Sequence, residues 1–167
     1  MEFLDVIKKR HSVRSYKPDP VEQEKLAVIL DAAVLAPTAA NRQAFKVIVI
    51  DTSGRKEDLK RIYDREWFSE APLALCVCSI PGRCWVRNDQ KNYSDVDAAI
   101  VMDHIILAAT DQGLGTCWIA AFNLQAAKEV LGLDDSMEPV AFTPLGYAKE
   151  TKVSKARKAL DELVIHK

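Results

Sequence analysis

The sequence predicts an α+β fold, and three observations carry that class. Helical and strand-like segments follow one another in irregular order, the strand-like runs are few and short, and residues 94–115 form one long stretch that is apolar nearly all round. A doubly wound parallel sheet would instead need regular alternation of strands and helices. With 167 residues, 49% of them hydrophobic and 28% charged, the chain can bury one core of ordinary size. No repeat, low-complexity segment or linker-like shift in composition divides it, so residues 1–167 read as a single domain.

Taken in order, Phe3, Leu4 and Ile7 open the chain at helical spacing. In DPVEQEKLAVILDAAVLAP (19–37), Asp19 is a natural N-cap, Pro20 takes the first helical position and Glu22 completes a capping box. Leu26, Ile29, Leu30 and Ala33 form its apolar face, and Pro37 disfavours helical geometry at Ala36. FKVIVI (45–50) is a β-branched strand, GRKEDLKRIYDREW (54–67) a surface helix and LALCVCSI (73–80) a buried strand with Cys76 and Cys78 on one face. The polar loop 81–93 carries Trp85 and Tyr93 and has the length of a lid or binding loop.

In the apolar stretch that follows, Ser94 and Asp97 make a capping box, Gly113 or Gly115 ends the helix, and only Asp103 and His104 are polar between Ala98 and Ala109. A helix of that composition must be covered on most sides, and in so short a chain a second copy is a way to cover it. TCWIAA (116–121) reads as a strand and NLQAAKEVLG (123–132) as a helix capped by Asn123 and stopped by Gly132. PVAFTPLGY (139–147) is a further strand, followed by a basic patch, KVSKARK, near the C-terminus.

Several classes are disfavoured. No run approaches the roughly 18 apolar residues of a membrane span, and the N-terminus lacks the charge order of a secretory signal, so a cytoplasmic location is expected. The four cysteines lack the paired spacing of a zinc site, and reduced thiols with no metal are the expectation. No Walker A or dinucleotide fingerprint is present, because GLGTCW lacks the third glycine and follows a helix. Nucleic acid is disfavoured by a net charge of −1. A thiol hydrolase with Cys117 as nucleophile and His104 as base is the weaker enzymatic alternative.

KKRHSVRSYK (8–17) stands out, with five Lys or Arg and no acid. In an extended chain Arg10, Ser12 and Arg14 share one side, with His11 and Val13 on the other. Two guanidinium groups flanking a hydroxyl can grip one phosphate through charge-assisted hydrogen bonds. Lys155 and Arg157 repeat the spacing near the other end of the chain. APTAANRQAF (36–45) adds a turn of small residues with Thr38, Asn41 and Gln43 as hydroxyl and amide partners for a polar-edged ring or polyol.

RHSVRSYKPDPV, APTAANRQAFKVIVI, DVDAAIVMDHIILAATDQGLGTCWIAAFN and PLGYA, in this order and spacing, resemble the FMN-dependent nitroreductase family, specifically its short members. The resemblance implies a central, mostly antiparallel sheet flanked by helices, with the long buried helix at the core of a homodimer. It implies FMN as cofactor, with Arg10, His11, Ser12, Arg14, Lys155 and Arg157 at its phosphate and ribityl end. It places Pro37, Thr38, Ala39, Asn41 and Gln43 on the flavin from the partner subunit, and Trp118, Ile119, Ala120, Ala121 and Gly146 along the ring. Ala44 and Phe45 stand where Pro-Trp is frequent in the family, and Ala120 where glycine is usual. Trp85 and Tyr93 are then candidates to stack on a substrate. The implied activity is hydride transfer from NAD(P)H to a small nitroaromatic or quinone by a ping-pong mechanism, with no catalytic side chain required. Dehalogenation, flavin breakdown and a low-turnover flavin-binding module are the alternatives within that resemblance.

Overall fold

The computed structural model describes residues 1–150 and 155–167. Its sheet has four strands in the order β1-β2-β4-β3, every neighbouring pair antiparallel: β1 (Phe45–Asp51), β2 (Leu73–Ser79), β3 (Gly115–Thr116) and β4 (Glu138–Gly146). The seven helices among the described residues are α1 (Phe3–Lys9), α2 (Gln23–Val34), α3 (Lys56–Ile62), α4 (Glu66–Glu70), α5 (Ser94–Asp111), α6 (Leu124–Leu131) and α7 (Leu160–Leu163). The α+β class holds.

Strand alternation explains the layers. Leu75, Val77, Ala141 and Leu145 turn one face of the sheet toward α2 and α5, where Ile29, Val101, Met102 and Ile105 are fully buried. Ala74, Cys76, Cys78 and Phe142 turn the other face toward α3, α4 and α6, against Leu59, Ile62, Phe68 and Ala127. Both faces of β2 are therefore covered, which is why LALCVCS reads as a continuous apolar run. Phe142 anchors the second layer, meeting Phe122 edge-on at 4.8 Å and Phe68 at 6.0 Å.

Helix α5 spans 18 residues and ends as expected, with Gly113 in the left-handed region (φ +77) and the Leu114 N–H reaching back to the Ala109 carbonyl at 2.8 Å. Helix α6 likewise matches its reading: the Asn123 side chain accepts from the Ala126 N–H at 3.0 Å, and Gly132 closes it.

Four local expectations are corrected. Helix α2 starts at Gln23 rather than after Asp19, because Glu22 is recruited from afar: the Tyr147 hydroxyl donates to its two carboxylate oxygens at 2.8 and 2.7 Å, and Lys25 reaches it at 3.1 Å. The Ser94–Asp97 capping box does not form; Asn92 Oδ1 accepts the Ser94 N–H at 2.8 Å, and Asp97 is used elsewhere. The 54–67 segment is two short helices, not one surface helix, with Leu59 and Ile62 at 0% and 1% exposure. Finally, TCWIAA pairs as a strand only at Thr116. The Thr143 hydroxyl takes the Cys117 N–H at 3.0 Å, and one bridge, Ile119 to Phe142, follows.

The Glu22–Tyr147–Lys25 contact has a pH signature. The Tyr147 hydroxyl, then the backbone, then Lys25 hold the Glu22 carboxyl down to about 2, from an ordinary 4.5. A depressed acid stabilises the fold above its unfolded pKa and loses that contribution as pH falls through the folded value. Glu22→Gln should therefore flatten the decline in stability between pH 4.5 and about 2. Urea unfolding at a series of pH values checks it, and coincident slopes for the two proteins would contradict it.

Candidate functional site

The basic stretch docks as an edge segment. Ser12 forms a parallel bridge with Thr116, the Val13 N–H donates to the Thr116 carbonyl at 2.8 Å, and Tyr16 bridges Ala148. Alternation holds over residues 12–14, with Val13 buried and Ser12 and Arg14 facing outward, and breaks after them, since Tyr16, three residues on from Val13, is buried too. Gly115 permits this docking, since a Cβ there would lie 2.7 Å from Val13 Cγ2. Burial pushes the Cys117 thiol up, while the Arg14 charge, the Ser12 hydroxyl and the Arg10 charge draw it down. Ser12, bridged to Thr116 of β3, and Arg14 line one recess with His11.

The C-terminal cations reach the same place. The Lys155 ammonium donates to the Ile7 carbonyl at 3.1 Å and to that of Lys8, closing the end of α1. Partial burial and the charges of Arg10 and Arg157 hold its pKa below the ordinary lysine range. Arg157 is exposed, its Nη1 on the Ala156 carbonyl at 2.7 Å. Residues 152–154 of the second basic patch lie outside the described residues. A cleft of about 490 Å³, lined by Arg10, His11, Val13, Leu114, Gly115 and Ala148, opens beside the cluster. A second of about 330 Å³ is lined by His11, Ser12, Arg14, Ser15 and Glu150. His11 holds the Lys9 carbonyl at 3.0 Å. Several cations converging beside a cleft form a ready receptor for an anionic group.

From Cys117 the chain runs back along α5. Trp118, 37% exposed, lines a shallow cavity of about 530 Å³ with Asp95, Val96, Ala99, Ile100 and Asp103. Ile119 is buried, Ala120 and Ala121 are exposed, and Ala120 lines a smaller recess with Phe122, Glu138 and Val140. Gly146 is buried on β4, paired with Gly115. A Cβ there would lie 2.7 Å from Pro72 Cδ and 3.4 Å from Tyr16 Cδ1, so its glycine serves close packing.

The 37–43 turn lies elsewhere. Ala40, Asn41 and Gln43 all adopt left-handed backbone (φ 50, 54 and 50), which costs on the order of 1–2 kcal/mol per non-glycine residue. Pro37, Asn41 and Gln43 are exposed, and Thr38 and Ala39 half-buried. Within the turn the Gln43 N–H donates to the Thr38 hydroxyl at 3.0 Å, and the Gln43 amide to Asn41 at 3.2 Å. From outside, Asp97 accepts the Ala39 N–H at 2.9 Å. Asp97 is in the first turn of α5, whereas the cation cluster adjoins its far end. At 1.5 Å per residue these lie roughly 20 Å apart along the helix. One copy of the chain does not bring the turn to the cations.

Trp85 and Tyr93 pair with each other, edge to face at 5.0 Å, and the Arg87 guanidinium sits 5.6 Å over Tyr93. Their loop is hairpin-like, with Val86 bridged to Asn92. Of the residues that shape the site, reading the sequence missed Asp97 and Gly115. An acid in the first turn of an otherwise apolar helix was the available signal for Asp97. Nothing local marked Gly115, whose neighbour is a hundred residues away. The thiol-hydrolase arrangement is not assembled: His104 donates through Nδ1 to the Ile100 carbonyl at 3.0 Å, and burial disfavours the Cys117 thiolate.

Among the described residues no three His, Cys, Asp or Glu cluster to hold a metal, and no helix is long and apolar enough to cross a membrane. An α+β sheet between two helical layers, with cations clustered beside a cleft at the edge strand, defines the class of molecule. The chain belongs to the nitroreductase family, whose model matches residues 7–72 and 59–147. It superposes with a TM-score of 0.89 on a nitroreductase family protein of Clostridium difficile 630, at 37% identity over 99% of this chain and 98% of that one. An FMN-dependent nitroreductase of Clostridium difficile R20291 gives 0.83 at 29% identity, covering 98% of this chain and 97% of that one. The Bacillus subtilis FMN reductase (NAD(P)H) is 27% identical over 173 aligned residues, 93% of this chain and 70% of that protein.

Proposed function

We propose that the protein is an NAD(P)H-dependent flavin oxidoreductase that binds FMN between two copies of itself. The observation that carries the reading is the cluster of Arg10, Ser12 and Arg14 along two adjoining clefts that share His11, with Lys155 docked on the Ile7 and Lys8 carbonyls next to Arg10. That cluster fits a phosphate: like charges brought together repel, and an anion between them relieves the repulsion. When bound, FMN would supply the electron chemistry, taking hydride from a nicotinamide and passing it to an oxidised acceptor.

The chain's own residues bind and orient. Arg10, Arg14 and Ser12 would hold the phosphate, with His11, Lys155 and Arg157 around it. The exposed backbone of 118–121 would lie along the ring, and the 37–43 turn would complete the site from the partner. The roughly 20 Å separation between turn and cations supports two copies. So does the exposed apolar surface: Phe3 and Leu4 at 64% on α1, with Val96 and Trp118 beside the half-buried Ile100 of α5. Trp85, tied to Tyr93, would act as a fixed wall for the acceptor. The acceptor class proposed is a small nitroaromatic or quinone, exchanged with the nicotinamide in one site. Initial rates with both substrates varied should give parallel double-reciprocal lines; intersecting lines would contradict a shared site.

A further inference from the structure

Asp97 is 2% exposed, yet among the described residues its side chain serves neither its own helix cap nor an ion pair. One carboxylate oxygen accepts the Ala39 N–H at 2.9 Å; the other has no hydrogen-bond partner among the described residues. A buried carboxylate is costly to keep, so its one bond marks what it is kept for. That bond lands on the turn with three left-handed non-glycine residues, whose other hydrogen bonds among the described residues are made within residues 38–43. Strained backbone persists only when its surroundings over-determine it. Here the determinant from outside the turn is Asp97.

We infer that Asp97 is a positioning residue for the flavin site, its buried carboxylate holding the 37–43 turn through Ala39 in the strained shape that meets the cofactor. This rests on the FMN reading proposed above, and it assigns Asp97 no contact with the flavin. Tyr93, the last residue of the 81–93 loop, is the N-cap of α5, its carbonyl accepting the Asp97 N–H at 2.9 Å as the helix's first bond.

The bond can be removed from either side. Asp97→Ala deletes the acceptor. Ala39→Pro deletes the donor while leaving Asp97 in place, and Thr38 (φ −129, ψ 154) already has the extended backbone that a following proline requires. Asp97→Asn keeps an oxygen for the Ala39 N–H. FMN dissociation constants come from flavin fluorescence quenching on the full-length protein, with thermal unfolding in parallel. We expect D97A and A39P each to weaken FMN binding about tenfold, the scale of one lost hydrogen bond to a charged group. The double variant should be no worse than the weaker single one, since both remove the same bond. D97N should stay near wild type, and the melting temperatures of apo D97A and D97N should differ little. A folded D97A or A39P that binds FMN as wild type overturns the inference, as do losses that multiply in the double variant. If D97A does not fold, A39P carries the test alone. A wild-type protein that fails to bind FMN overturns the flavin reading and this inference with it, a result distinct from failure of the variants only.

Discussion

Arg14→Ala should weaken FMN binding by roughly 10- to 100-fold, the equivalent of losing a charge-assisted hydrogen-bond donor worth about 1.5–3 kcal/mol. Arg14 faces outward from a segment that is pinned on its other side by Val13 and Tyr16, so the guanidinium is presented by rigid backbone. The loss should be smaller with Arg14→Lys, which keeps the charge but not the planar fork. Because Arg14 makes no core contact, the apoprotein's melting temperature should hold. Equilibrium dialysis against FMN checks the prediction, and full flavin occupancy of the Arg14→Ala protein after dilution would contradict it.

Phe142→Ala should produce the largest loss of stability, about 3–5 kcal/mol, the range for a fully buried aromatic cut back to a methyl. Its ring is at 0% exposure between Phe68 and Phe122, and its backbone exchanges two 2.9 Å hydrogen bonds with Ile119. The cavity would open between the sheet and the α3–α4–α6 layer, where backbone hydrogen bonds limit collapse. For a domain of this length that corresponds to a fall in melting temperature of roughly 6–20 °C. Calorimetry decides it. A fall of less than about 1 kcal/mol would mean that the layer repacks freely and that Phe142 does not anchor it.

Periodicity made the core legible where burial is two-sided or local caps are used. β2, β4 and α6 follow from apolar runs, Asn123 and Gly132, and α5 from its near-continuous apolar character. What failed were ends whose capping side chains were taken by distant partners. Glu22 belongs to Tyr147, and Asp97 to Ala39; the Cys117 N–H belongs to Thr143. Each displaces a local rule with a contact that sequence separation conceals. The shared outward side of Ser12 and Arg14 was legible because alternation in an extended segment is local. The strain in Ala40, Asn41 and Gln43 was not, since none is a glycine. Nor was the distance between turn and cations, which depends on α5 running unbroken between them.

The proposed function requires that the cation cluster hold a flavin that a nicotinamide can reduce. The most direct measurement is the visible absorption spectrum of the purified protein with FMN, freed of unbound flavin, before and after anaerobic addition of NADH or NADPH. The expected result is an oxidised flavin spectrum that bleaches on addition of one donor or both. A protein that retains no flavin, or a bound flavin that neither donor bleaches, would contradict it.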